Sequence, residues 1–452
     1  MPIAAKTSIT RAELVSALSH ALDITEGQAE GHSVRCAWIG MAIGRQIGMS
    51  RADLGELYYT LLLKDIGCSS NAARICELYL ADDLQFKRDI KSVNDSLPQI
   101  LRFVLSHTGL KAGLSERFRS ILTIFSEGGE IARELIETRC QRGADIARRM
   151  RFSEDVAQGI LDLDEHWDGS GKPVGIGGTD ISIHARIALL AQVIDVFHTS
   201  DGKGAALREV SQRSDRWFDP TLVAAFEMVA EDDDFWATLN APTLQEQVIA
   251  IAPEPFGEMV DEDYLDEIAA AFAEVVDSKS PYTAGHSDRV ALFADMIAEE
   301  LGLTPAKRRF LKRAALLHDL GKLGVSNQIL DKAGKLDEDE WKSVRQHPAQ
   351  SRVILSQIAA FADLARVAGD HHERLDGKGY PRGIAGDAIC PETRIITVAD
   401  IFDALTATRP YRGPMPVSKA FEIMRGDVGS AIDANCFAAL ERAMARLEQV
   451  AA

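Results

Sequence analysis

The feature that most constrains this chain is an internal duplication. Gly31-His32-Ser33 in the first half returns as Gly285-His286-Ser287 in the second, and 32 residues separate both His32 from Lys64 and His286 from His318. The flanks read Leu62-Leu63-Lys64-Asp65-Ile66-Gly67 and Leu316-Leu317-His318-Asp319-Leu320-Gly321. Further on, Glu165-His-Trp-Asp168-Gly169-Ser-Gly171-Lys172-Pro173 parallels Glu373-Arg-Leu-Asp376-Gly377-Lys-Gly379-Tyr380-Pro381, and 18 residues separate Asp168 from Arg186 as they do Asp376 from Arg394. A register held this far means one fold used twice. It breaks once, because Asp65 to Gly143 spans 78 residues and Asp319 to Ser351 only 32, which gives the first copy 46 extra residues of mostly helical pattern.

Apolar residues three or four apart, such as Val290, Phe293, Ile297 and Leu301, predict helices nearly everywhere, and no run of alternating strands stands out. The expected fold is all-α. Thr10-Arg-Ala-Glu13 reads as a capping box, and Ser280-Pro281 and Thr304-Pro305 read as helix starts with a capping hydroxyl before proline. The prolines of Ile251-Ala-Pro-Glu-Pro-Phe256 set the expected boundary between residues 1–252 and 253–452, with an acidic connecting helix from about Glu258 to Val276.

With 452 residues, 46% hydrophobic and 26% charged, the chain is long enough for two cores and is not a disordered or fibrous protein. A net charge of -18 argues against polymeric nucleic acid as a partner, since an acidic exterior repels a polyanion. Six cysteines without a C-x-x-C pair fit a reducing cytoplasm, and no stretch reaches the roughly 18 apolar residues of a membrane span. A cytoplasmic protein without membrane insertion is expected.

Five of the 11 histidines fall between 286 and 372. Taken singly, His286 is an ordinary core or surface imidazole, and Asp376-Gly-Lys-Gly379 an ordinary turn. Their joint order is different: His286, His318-Asp319, His347, His371-His372 and Asp400 form a mixed imidazole and carboxylate set suited to iron, manganese or zinc more than to magnesium or calcium. Adjacent residues at a helix end diverge by about 100°, so His318 and Asp319 can address two neighbouring ions, the carboxylate bridging them. Two-metal hydrolysis is the natural use.

These residues resemble the HD-GYP family, a branch of the HD-domain metal-dependent phosphohydrolases that cleaves cyclic dinucleotides, above all cyclic di-GMP. The resemblance covers about residues 270 to 440 and rests on His318-Asp319-Leu-Gly321-Lys322, on His371 through Pro381, and on Val398-Ala-Asp400-Ile-Phe-Asp403 followed by Arg409-Pro-Tyr411-Arg412. It implies metal ligation by His286, His318, Asp319, His347, His371, His372 and Asp400, with Asp319 shared and catalytic. It further implies Lys322 at the scissile phosphate, Asp403, Arg409 and Arg412 near the dinucleotide, and Gly379-Tyr380-Pro381 at the pocket mouth. Some members add a third ion through a Glu four residues before the first His, where this chain has Tyr282. Two divalent metals are therefore expected, iron or manganese first, zinc or nickel next.

The expected reaction is in-line attack on a 3′-5′ phosphodiester of cyclic di-GMP by a hydroxide bridging the metals, giving linear pGpG and then GMP. Two alternatives go with it: the same chemistry on 3′,3′-cyclic GMP-AMP, and a non-catalytic module that senses a cyclic dinucleotide or docks a diguanylate cyclase. In the first copy Lys64, Arg139, Leu163-Asp164 and Gln192 replace His318, His347, His371-His372 and Asp400, and Cys68 replaces Lys322. Only His32 and Asp65 survive among the ligands. That copy is expected to be non-catalytic, regulatory or dimerising, which adds a homodimer and a signalling protein to the expected partners.

Overall fold

The computed structural model describes residues 9–91, 93, 97–110, 112–253 and 260–451. The chain divides into two compact units at Asp261/Glu262, nine residues beyond the expected 252/253. Glu254, Pro255 and Phe256 of the expected linker lie outside the described residues. The first unit contains α1 (Arg11–Thr25), α2 (His32–Gln46), α3 (Arg51–Leu63), α4 (Ala72–Tyr79), α5 (Asp83–Ile90), α6 (Leu97–His107), α7 (Leu114–Arg149), α8 (Glu154–Leu161), α9 (Ile183–Asp201), α10 (Lys203–Arg213), α11 (Pro220–Val229), α12 (Asp233–Leu239) and α13 (Leu244–Ala250). The second contains α14 (Glu262–Asp277), α15 (His286–Glu300), α16 (Pro305–Leu317), α17 (Asn327–Leu330), α18 (Glu338–Val344), α19 (His347–Ser356), α20 (Ala362–Asp370), α21 (Pro391–Thr406), α22 (Val417–Asp427) and α23 (Ala434–Ala451). Among the described residues there is no strand, only isolated bridges, and no helix is long and apolar enough to cross a membrane.

Local chemistry explains several of the starts. The Thr10 hydroxyl accepts from the Glu13 amide at 3.2 Å while the Glu13 carboxylate accepts from the Thr10 amide at 2.8 Å, a reciprocal cap for α1. Thr304 accepts from the Lys307 amide ahead of Pro305, as expected for α16. Ser280-Pro281 does not start a helix. The Ser280 hydroxyl is drawn to Asp331, and α15 begins five residues later behind Gly285, whose φ of 66° only glycine takes without strain.

The first unit is organised around α2 against α3 and α9, the second around α15 against α16, α21 and α23. Burial of Val290, Ile297, Leu311, Leu317, Ile396 and Phe402 fixes the second core, at about 1.5–3 kcal/mol for each large side chain. The duplication is visible at atomic level. A Cβ on Gly321 would lie 2.0 Å from the His347 carbonyl oxygen, and one on Gly67 would lie 1.9 Å from that of Arg139. Asp277 accepts from the Ser287 amide and hydroxyl as Asp23 does from Ser33. Two equally spaced sequences have closed the same turns.

Candidate metal centre

Helix ends bring the predicted side chains together. His286 opens α15, His318 caps α16, His347 opens α19, and His371-His372 follow α20. Three of the imidazoles are held the same way: Nδ1 of His318, His347 and His371 lies 2.6 Å from the carbonyl oxygen three residues earlier, on Ala315, Val344 and Ala368. A carbonyl only accepts, so each Nδ1 carries the hydrogen and each Nε2 lone pair is turned inward. His286 Nδ1 is held instead by the Asp403 carboxylate at 2.7 Å.

The nitrogens converge on Asp319. Its Oδ2 lies 3.3 Å from Nε2 of both His286 and His318, and its Oδ1 lies 3.2 Å from Nε2 of His347 and 3.7 Å from that of His371. Asp400 completes one side at 3.4 Å from His286 Nε2. His286, His318 and Asp400 thus form one donor group, and His347, His371 and His372 another, each within 4.8 Å, with Asp319 presenting one oxygen to each.

The arrangement fits a pair of cations. Nε2 of His286 and His318 and Oδ1 of Asp319 are buried without a hydrogen bond, a costly state for polar atoms unless something else satisfies them. Nε2 of His347 and His371 approach to 3.2 Å; with both Nδ1 hydrogens committed to carbonyls, this sets lone pair against lone pair. A cation between the rings removes the conflict. Burial, then His318 and His347, depress the His371 imidazole to about 3, and burial holds His347 and His372 low as well. Burial alone would raise the Asp319 carboxyl, but His318 and Lys322 hold it well below the usual range. Neutral imidazoles around ionised carboxylates are the donor set of a borderline divalent metal. His286 behaves differently: burial opposes its charge, yet the neighbouring Asp319 and Asp403 carboxylates raise it to about 9, so an incoming ion must displace a proton there.

The residues expected around a substrate are placed less uniformly. Lys322 donates to Asp319 and is partly exposed. Tyr380 lies against the His372 ring at 4.8 Å, so Gly379-Tyr380-Pro381 borders the centre, and Gly379 is obligatory because a Cβ there would meet the Arg374 amide at 2.4 Å. Asp403, expected near the dinucleotide, is buried behind His286, where it also binds Arg289 Nε at 2.5 Å. It is a positioning residue. Arg412 donates to the Ala404 and Leu405 carbonyls at the end of α21, at 2.6 and 2.8 Å, and Arg409 reaches Ala404 at 3.4 Å, so in this structure both guanidinium groups serve the helix terminus.

Several supports were not singled out from the sequence. Ser351 accepts from the Gly321 amide and donates to the His318 carbonyl, both at 2.8 Å. Thr397 binds the His371 carbonyl at 2.7 Å, and Arg345 lies over the Tyr380 ring at 5.8 Å. The Glu373 carboxylate gathers the amides of Arg382, Gly383 and Ile384, closing the loop after Pro381. Only the parallel Glu165 in the first copy hinted at that role. Because Asp403 orients His286, Asp403→Asn is expected to weaken divalent metal binding by about 10- to 100-fold while leaving the fold intact; manganese titration followed by calorimetry checks it, and unchanged affinity would count against that role.

A family model described as HD domain matches residues 119–222 and 270–436, more than half of the chain and parts of both copies. The chain belongs to the HD domain family. Within it, the HD-GYP branch is marked by its relatives. The chain is 52% identical over 440 residues, 97% of its length and 96% of the other, to 3′3′-cGAMP-specific phosphodiesterase 3 of Vibrio cholerae. It is 38% identical over 186 residues, 41% of its length and 49% of the other, to the cyclic di-GMP phosphodiesterase response regulator RpfG of Xanthomonas campestris pv. campestris. The crystal structure of a cyclic GMP-AMP-specific phosphodiesterase of V. cholerae, V-cGAP3, superposes with a TM-score of 0.67 at 47% identity, covering 96% of this chain and 97% of that one. HD domains are metal-dependent hydrolases, and this tandem HD-GYP chain is a phosphodiesterase.

Proposed function

We propose that the second copy hydrolyses 3′,3′-cyclic GMP-AMP to a linear dinucleotide. The observation that carries this reading is the 52% identity, across 97% of the chain, to a phosphodiesterase named for that substrate. It replaces cyclic di-GMP, the first expectation from the motif, as the preferred substrate. The His-Asp and Gly-Tyr-Pro residues act on a phosphodiester common to both molecules, whereas guanine and adenine differ in the hydrogen-bonding edges that a pocket reads. Cyclic di-GMP stays as the second reading, supported by the likeness to the Xanthomonas regulator.

In this reading His286, His318, Asp319 and Asp400 hold one metal, and His347, His371, His372 and Asp319 the other. Iron or manganese suits the donors best, then zinc or nickel. Such a pair supplies Lewis acidity toward phosphoryl oxygen and makes water a stronger acid. Lys322, already at the rim beside Asp319, adds positive charge where phosphorus gains a fifth oxygen. Tyr380 and the loop that Glu373 closes wall one side of the pocket. One water oxygen joins phosphorus as the bond to the ribose 3′ oxygen breaks, and that oxygen leaves with a proton. The six cysteines are free, which supports a reducing cytoplasm as the working compartment, and the first copy is read as non-catalytic.

Incubating the manganese-loaded chain with each cyclic dinucleotide and separating products by chromatography tests the assignment. A kcat/KM for cyclic GMP-AMP at least about tenfold above that for cyclic di-GMP is expected. The reverse order would favour the second reading, and tight binding without hydrolysis under iron, manganese and nickel would make the chain a sensor.

A further inference from the structure

The first copy keeps the bridging aspartate but changes what surrounds it. Lys64, at the His318 position, is fully buried, pairs with Asp65 Oδ2, and its Nζ lies 3.0 Å from His32 Nε2 and 3.1 Å from Gln192 Oε1. Those partners correspond by register to His286, Asp319 and Asp400. The ammonium therefore occupies the meeting point of one donor group of the second copy. On the other side, Asp65 Oδ1 faces Lys91 Nζ at 4.0 Å, and that ammonium is paired with Glu26 at 2.9 Å. Lys87, one helical turn before Lys91, lies 3.5 Å from the second Glu26 oxygen and donates to the Cys68 and Thr25 carbonyls at 2.7 and 3.2 Å. Arg139, at the His347 position, pairs with Asp164, at the His372 position. Two of the four lost imidazoles, His318 and His347, thus have a protein cation at their position.

We infer that Lys64 and Lys91 replace a metal pair, one ammonium on each oxygen of Asp65, with Lys87 sharing the Glu26 carboxylate that holds Lys91 in place. The comparison rests on the metal reading of the second copy, but the ion pairs of the first are independent of it. Lys64 stands at the His318 position, and the same offset, 318 − 64 = 345 − 91 = 254, sets Lys91, at the end of α5, against Arg345, at the end of α18. The reason is electrostatic. Glu26 and Asp65 are each no more than 2% exposed, and a buried carboxylate without a partner destabilises a fold strongly. Burial pushes the Glu26 carboxyl up, yet Lys91 and Lys87 bring it down to about 2. Losing the metals without gaining these ammonium groups would leave that charge unopposed.

The full chain provides the test, because four of its five tryptophans, Trp38, Trp167, Trp217 and Trp236, report on the first copy. Lys91→Met, similar in length but uncharged, is expected to lower the tryptophan-detected Tm by roughly 10 °C, whereas Lys91→Arg keeps it near the parent value. Glu26, Asp65 and Cys68 already lie within 4.8 Å of one another, so millimolar manganese is expected to recover part of the loss in Lys91→Met and to leave the parent's first transition unchanged. Failure of Lys91→Met to fold while Lys91→Arg folds is the same result in stronger form. An unchanged or raised Tm in Lys91→Met overturns the inference, as does a fall that manganese does not relieve. Manganese content and turnover of the parent are read separately: if it binds no metal, the phosphodiesterase site fails while the Lys91 result stands.

Discussion

Asp319→Ala is expected to leave less than about one-thousandth of parental phosphodiesterase activity with the helical fold retained. Asp319 presents one carboxylate oxygen to each half of the centre: one faces His286 and His318, the other His347 and His371. Without it, the two groups of nitrogens share no anion, and their mutual repulsion on charging is no longer offset. The fold survives because Lys322, the ammonium left behind, is partly exposed and turns to water. Asp319→Asn is expected to fail equally, since its amide directs N–H hydrogens at one half of the site. Activity above about a tenth of the parent's with either variant would remove Asp319 from its assigned role.

Gly321→Ala carries the second large expectation, a loss of about 3 kcal/mol or more in stability of the second copy together with most of its activity. An added Cβ would lie 2.0 Å from the His347 carbonyl oxygen and 2.8 Å from the Ser351 amide nitrogen, so α19 must move and carry His347 with it. Backbone has little room to yield in a close-packed interior. Gly334, with nothing within 4 Å of its built Cβ, is the control; Gly334→Ala is expected to stay within about 1 kcal/mol of the parent. Urea unfolding of both variants measures the difference, and equal midpoints would refute the close-packing argument.

The convergence at Asp319 was legible in the sequence because its parts are short-range. A histidine at a helix end back-bonds to its own previous turn, and conserved spacing between the two copies fixed which helix ends correspond. Asp400 and Asp403 share one face of α21, and spacing alone does not say that one joins the donor group while the other holds His286 from behind. Ser280-Pro281 failed as a helix start because Asp331, distant in sequence, captures the hydroxyl. Arg409 and Arg412 are expected near the dinucleotide from sequence, and the fold adds that both also reach the Ala404 carbonyl near the end of α21. Lys87 and Lys91 carry no motif in the sequence; only the fold brings them to Glu26 and Asp65.

The most direct measurement of the central claim is the metal content of the purified, manganese-loaded chain by elemental analysis, with Asp319→Ala and Lys64→Met prepared in parallel. About two ions per chain are predicted in the parent and in Lys64→Met, whose change lies in the first copy, and fewer than one in Asp319→Ala. A parent without stoichiometric metal, or equal loading of the parent and Asp319→Ala, would contradict the caged pair.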